Sequence, residues 1–173
     1  MINLQMEVFM KKIMTYIIAT LMTVLWTSIA TAQGHGKMNE EVGEVHFPIS
    51  TDRPATQEEF NRATALLYSF AYGNALKAFN DITLHDPQCA MAYWGIAMSH
   101  FHPIWEEVPT PAQVKASLAA IKNAKYVGIK TDREKDYIAA IEIIYTDVVK
   151  TEYRSRVLEF EKASPGWQKL STD

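Results

Sequence analysis

A single cysteine, Cys89, stands in a chain of 173 residues. It has no partner for an internal disulfide, so an oxidising compartment adds nothing to this fold and stability must come from packed apolar faces. Basic side chains are few as well, with 17 Lys and Arg against 20 Asp and Glu and a formal charge of −3. They form no cluster, which argues against a nucleic-acid partner. Several catalytic patterns are missing. Ser69 and Ser99 have no G-x-S-x-G elbow around them. There is no H-E-x-x-H, no paired-cysteine motif, no phosphate loop and no dinucleotide glycine pattern. No segment sustains the period-two alternation of a half-buried strand.

The N-terminus carries the first positive signal. Lys11 and Lys12 precede an uncharged run from Ile13 to Ile29, and Ala30-Thr31-Ala32 then puts small residues where a signal peptidase reads. This series predicts a signal peptide over 1–32, with Met10 as a fitting start, and a periplasmic or secreted location. An uncleaved membrane anchor is the competing reading, because the run approaches bilayer-spanning length. No Cys follows the small residues, which disfavours a lipoprotein. Removing Lys11, Lys12 and Glu7 with the leader leaves 141 residues bearing 15 basic and 19 acidic side chains, enough for one domain.

Residues 33–55 read as a flexible leader, with Val45–Ile49 a short apolar stretch that Pro48 keeps from becoming a long strand. Helical signals are dense over 56–163. Thr56 to Glu59 has the form of a capping box, followed by Phe60, Ala63, Leu67 and Phe70 at helical spacing. Gly73-Asn74 breaks the run, and Ala75, Leu76, Phe79 and Ile82 mark a second helix that Asp86-Pro87 ends. A third runs through Ala90, Tyr93, Trp94, Ala97 and Met98. Thr110-Pro111 opens a fourth, with Val114, Leu118, Ile121 and Ala124 inward and Gly128 as its cap. Thr131 to Glu134 is another capping box before Tyr137, Ile141, Ile144 and Val148, and Glu152–Ala163 makes a sixth helix with Tyr153, Val157 and Phe160 inward. The expectation is all-α: six helices in three antiparallel hairpins stacked as a short solenoid, with an irregular tail over 164–173.

Within this pattern Tyr72, Ala75, Phe79 and Pro87 resemble the second half of a tetratricopeptide repeat (TPR), a unit of about 34 residues, and Ala63 falls near the close-packed position of its first helix. The expected Trp and Leu-Gly of that helix are absent. Three further stretches, Val45–Pro48, Asp86–Gly95 and His102–Trp105, together with Thr131–Tyr145, are similar to a family of exported bacterial TPR proteins. The resemblance covers His46 to Ala163 and implies a repeat scaffold without assigning any chemistry. Members of that family are usually longer, and this chain departs from them after Ala163, so a truncated piece of a longer repeat protein is one reading.

The densest aromatic set, Tyr93, Trp94, Phe101 and Trp105, supplies anchors for a protein or peptide partner wherever a ring faces outward. His100 and His102 beside Glu106 and Glu107 invite a metal-assisted hydrolase as the rival, although that spacing is weak and His102 also suits a cap on a helix-end carbonyl. Cys89 reads as a small buried residue, not a nucleophile. The resulting expectation is a non-enzymatic scaffold without cofactor or metal, binding a protein or peptide, with no nucleic-acid role and membrane contact only through an uncleaved leader. The faces of Tyr137, Ile141, Ile144 and Phe160 are expected to leave an uncapped C-terminal edge prone to self-association.

Overall fold

The computed structural model describes residues 43–105 and 107–165, apart from the side chain of Trp105. The expected signal peptide and most of the tail lie outside the described residues. Six α-helices follow in order: α1 (Pro54–Tyr68), α2 (Tyr72–His85), α3 (Ala90–Met98), α4 (Pro111–Val127), α5 (Asp132–Tyr145) and α6 (Tyr153–Ala163). A 3₁₀ turn spans Pro103–Trp105, and no strand occurs among the described residues. The described residues therefore make an all-helical fold. Each helix packs on the next along the sequence, and α3 also touches both α1 and α5.

Local chemistry explains most of the boundaries. α1 begins two residues before the expected capping box, because Pro54 takes the first helical position, where its fixed φ fits and its missing N–H is not needed. Arg53 is the N-cap and provides no side-chain bond. Thr56 is thereby carried inside the helix, and its hydroxyl donates to Asp86 Oδ2 at 2.9 Å instead of capping. At the other end Phe70 adopts φ +62°, the left-handed conformation that lets a helix stop. Phe70 N–H then donates to Leu67 O and Ala71 N–H to Leu66 O, so the orphan carbonyls are satisfied. Phe70 is thus a terminator and half exposed, not the last inward residue of α1. The break falls at Ser69–Ala71, while Gly73 and Asn74 lie in the first turn of α2.

α4 has the full reciprocal cap, with Gln113 N–H donating to Thr110 Oγ1 and Thr110 N–H donating to Gln113 Oε1 at 2.8 Å. Gly128 ends it at φ +91°, as its sequence position predicts. Its buried face runs through Ser117, Ala120, Ile121 and Ala124, leaving Leu118 partly exposed. α5 keeps half of its predicted box: Glu134 N–H donates to Thr131 Oγ1 at 3.2 Å, but the Glu134 carboxylate accepts from Lys130 N–H at 3.4 Å and from Ser50 N–H at 2.6 Å, not from Thr131 N–H. α5 ends at Tyr145, so Val148 lies past the helix and exposed.

The core centres on α3, where seven of nine residues are buried. A helix apolar all round needs neighbours on every side, and α1, α2, α4 and α5 supply them. Gly95 is where α2 comes closest. A Cβ there would sit 2.3 Å from the Phe79 ring, so only glycine leaves room for that side chain. Tyr145 crosses the same core and donates its hydroxyl to Ala97 O at 2.7 Å. α6 closes the other end: Phe160 packs edge-on against Phe101 at 4.9 Å, and the buried Arg156 donates to Ile144 O. Ile141 and Ile144 are fully buried, and Tyr137 and Phe160 are half-buried. α6 thus covers Ile141 and Ile144 of α5 and Phe160 meets Phe101, while Leu158 of α6 is half exposed.

Candidate functional site

Residues 43–53 have no regular secondary structure, yet the stretch 45–51 is not a loose leader. It crosses α1, α3 and α5 as an extended strap. Phe47 is its anchor, 7% exposed. Its ring lies 5.6 Å from Phe60 of α1, 5.5 Å from Trp94 of α3 and 5.1 Å from Tyr137 of α5. The Arg133 guanidinium covers it, with Cζ 4.5 Å from the ring centroid and 5.3 Å from that of Tyr137. A cation over an aromatic face contributes on the order of 0.5–2 kcal/mol, more as water is excluded.

An extended backbone has unsatisfied polar groups unless something external pairs them. Here helix side chains do so. Asn61 Oδ1 accepts from Phe47 N–H at 3.1 Å. The Gln57 amide grips two positions, donating to Phe47 O and accepting from Ile49 N–H, both at 2.9 Å. Its Nε2 also donates to Asn61 Oδ1, which fixes the orientation of both amides. Arg133 donates to Pro48 O at 2.7 Å, and Glu134 Oε1 accepts from Ser50 N–H at 2.6 Å. These bonds read main chain, not side chain. Thr51 adds a side-chain contact, its hydroxyl donating to Asp86 Oδ2 at 2.8 Å.

Polarity changes along the groove. The Phe47 end is aromatic and cationic, whereas the Ser50–Thr51 end is acidic, with Glu134 and Asp86 both buried. Cys89 lies near those carboxylates. Burial, aided by Asp86 and Glu134, pushes its thiol up to about 11, which removes nucleophilic character at neutral pH. An open trough of about 610 Å³ lies between Gly43, Glu44, Val45 and His46 on one side and Asn61, Arg62 and Ala65 of α1 on the other.

The residues singled out from sequence are placed differently. Trp94 and Phe101, expected as partner anchors, are buried in the core. The physical reason is plain: α3 is enclosed by its neighbours, so Trp94 packs inward, where Phe47 of the strap stacks on it, and Phe101 packs against Phe160 of α6. Tyr93 is half-buried and braces the α2–α3 corner, donating to Pro87 O at 3.1 Å. Trp105 ends the 3₁₀ turn, and its side chain lies outside the described residues. Of the repeat positions, Ala63, Ala75 and Phe79 have no exposure, Pro87 follows the α2 cap, and Tyr72 starts α2 with its ring 4.1 Å from His102.

His102 caps α3 as its position before Pro103 suggests, with Nε2 3.1 Å from Ser99 O. Its Nδ1 meets Glu107 Oε2 at 2.8 Å. Both ring nitrogens therefore lie within hydrogen-bond distance of acceptors on the neighbouring turn and loop. His100 is half-buried, and burial followed by its neighbour His102 holds it below the ordinary imidazole range. Among the described residues no three His, Cys, Asp or Glu gather as a metal site. No helix among them is long and apolar enough to cross a membrane.

The sequence shows Phe47 within an apolar stretch and Arg133 and Glu134 within a capping box, but gives no sign that Gln57 and Asn61 are binding groups. Glu134 stands 84 residues from Ser50, and although Gln57 and Asn61 lie only 8 to 14 residues past the strap positions they hold, a polar residue within a helix carries no local mark of its partner. Comparison with protein-family models, curated proteins and solved structures finds no match to this chain.

Proposed function

We propose that this chain is a non-enzymatic scaffold, a short TPR-like solenoid acting outside the cytoplasm, whose α1–α3–α5 face holds an extended segment of a partner protein. One observation carries the reading: that face already holds an extended segment, residues 45–51, by its backbone and by one aromatic anchor. Backbone capture by helix side chains with pockets for single rings is how helical grooves take unfolded polypeptide without demanding one sequence. The serial packing of α1 to α6, with α3 bridging α1 and α5, fits hairpins that bury their faces against neighbours. The basic, apolar and Ala30-x-Ala32 series supports export.

The test is a peptide-display selection against the folded Phe47→Ala chain, whose groove has lost its own anchor. Binders should be extended sequences with an aromatic residue, and Gln57→Leu or Arg133→Ala should weaken them tenfold or more. Binders indifferent to both substitutions would place the partner elsewhere and reject the reading.

A further inference from the structure

We infer that residues 45–51 are a releasable latch, and that the partner is an extended segment of the same chemistry: aromatic, proline, aliphatic, then two residues bearing hydroxyl or amide donors and no carboxylate. The inference rests on the scaffold reading above and names both its ligand class and its gate.

Three observations carry it. The strap contributes no intramolecular ladder of its own; its backbone bonds end on Gln57, Asn61, Arg133 and Glu134, which another chain of the same shape would satisfy equally. Pro48 occupies the position whose N–H no groove residue requires, since the Gln57 amide takes Phe47 O and Ile49 N–H on either side of it. The trough of about 610 Å³ between residues 43–46 and Asn61, Arg62 and Ala65 of α1 leaves the strap's N-terminal end loosely packed on the helix it covers.

The ligand's C-terminal half is specified by charge. Ser50 N–H meets Glu134, and the Thr51 hydroxyl meets Asp86, which already accepts from Thr56. Both carboxylates are buried, so donors are welcome there and a third carboxylate is repelled at short range in a poorly screened site. At the aromatic end the box formed by Phe60, Trp94, Tyr137 and Arg133 favours a ring.

A segment tethered by two residues to α1 competes at an effective concentration of roughly millimolar, so an outside peptide must exceed that occupancy to enter. The groove is thus closed by default and opens to a partner that binds tighter.

The experiment titrates a synthetic peptide of residues 43–53 into the full chain and into two latch variants, Phe47→Ala and Ile49→Asn, with circular dichroism confirming that each keeps its helices. Trp94 emission reports entry, because Phe47 stacks on that ring in the closed state. The variants should bind the peptide at least tenfold more tightly than the wild type, and a peptide carrying Thr51→Glu should bind them at least tenfold more weakly. Equal binding by wild type and variants overturns the latch while leaving the scaffold reading in place. Folded variants that bind no peptide overturn both. A Thr51→Glu peptide that binds like its parent overturns the stated ligand chemistry. Concentration-dependent dimerisation of the wild type, lost in Phe47→Ala, would make a second copy the occupant and overturn the partner.

Discussion

Phe47 and Phe79 both pack on the ring of Phe60, at 5.6 Å and 5.4 Å, but they arrive there by different routes. Phe79 sits in the middle of α2, a helix whose backbone satisfies itself, and Gly95 gives up its side chain to admit the ring. Phe47 sits on a strap whose backbone is satisfied only by what lies beneath it. Both are nearly buried. Burial alone therefore does not distinguish the two positions. The difference lies in where the backbone hydrogen bonds go, because a segment bonded only to groove side chains can leave without unfolding the helices it covers.

Truncation gives the largest contrast. Phe79→Ala should cost about 3–5 kcal/mol in denaturant melts, the usual cost of emptying a core aromatic site. Phe47→Ala should cost less, about 1–3 kcal/mol, because the strap can detach instead of leaving a cavity. Equal losses would erase the distinction and make the strap part of the core. Next comes Gly95→Ala, which drives a methyl into Phe79 and should destabilise by about 1–3 kcal/mol. Pairing it with Phe79→Leu should recover part of that loss, and strict additivity would mean the two residues do not meet.

A smaller effect isolates the strap. Gln57→Leu removes the amide that holds Phe47 O and Ile49 N–H, so hydrogen exchange at the Ile49 amide should accelerate while α2 amides keep their rates. Acceleration spread evenly over α2 would tie strap and core together. The smallest effect is at Cys89, whose thiol burial pushes up to about 11 from 9.0. A raised folded pKa means the native state keeps its proton longer than the unfolded state. This contribution to stability is fully present below about 9 and is lost as pH rises through about 11. Alkylation of the wild type at pH 8 should be slow, and faster in Phe47→Ala if the strap shields Asp86, Glu134 and the thiol beside them. Identical rates would separate Cys89 from the latch.

The helices were largely legible because their signals are local. Thr110-Pro111, Gly128 and Asp86-Pro87 each act within one turn, and the structure places boundaries where those residues put them. The errors share a cause too. Thr56 looks like a cap because it is followed by Glu59, but Pro54 starts the helix earlier and Asp86 claims the hydroxyl. Glu134 looks like the return half of a box, but its carboxylate takes Ser50 N–H and Lys130 N–H in place of Thr131 N–H. In both cases a distant segment claims a group that the local pattern assigned to the cap.

The candidate site was legible only as ingredients. The aromatic set near α3 was noticed, but periodicity could not tell Trp94 and Phe101, enclosed by neighbouring helices, from rings facing outward. The short apolar stretch around Phe47 was noticed as well, without any sign of what it would lie on.

Composition and spacing by themselves determined the all-helical class of the described residues, the helix ends at Asp86-Pro87, Thr110-Pro111 and Gly128, and the reliance on apolar packing without a disulfide, because each follows from interactions within a few residues or from a simple count. The tertiary structure alone decided that Phe47 crosses three helices, that Gln57 and Asn61 read its backbone and that Glu134 and Asp86 give one end of the groove its charge. The hydrogen bonds among those contacts span from 8 residues, Ile49 to Gln57, to 84 residues, Ser50 to Glu134, and their pairing is set by how the strap and helices stack, which no local pattern encodes.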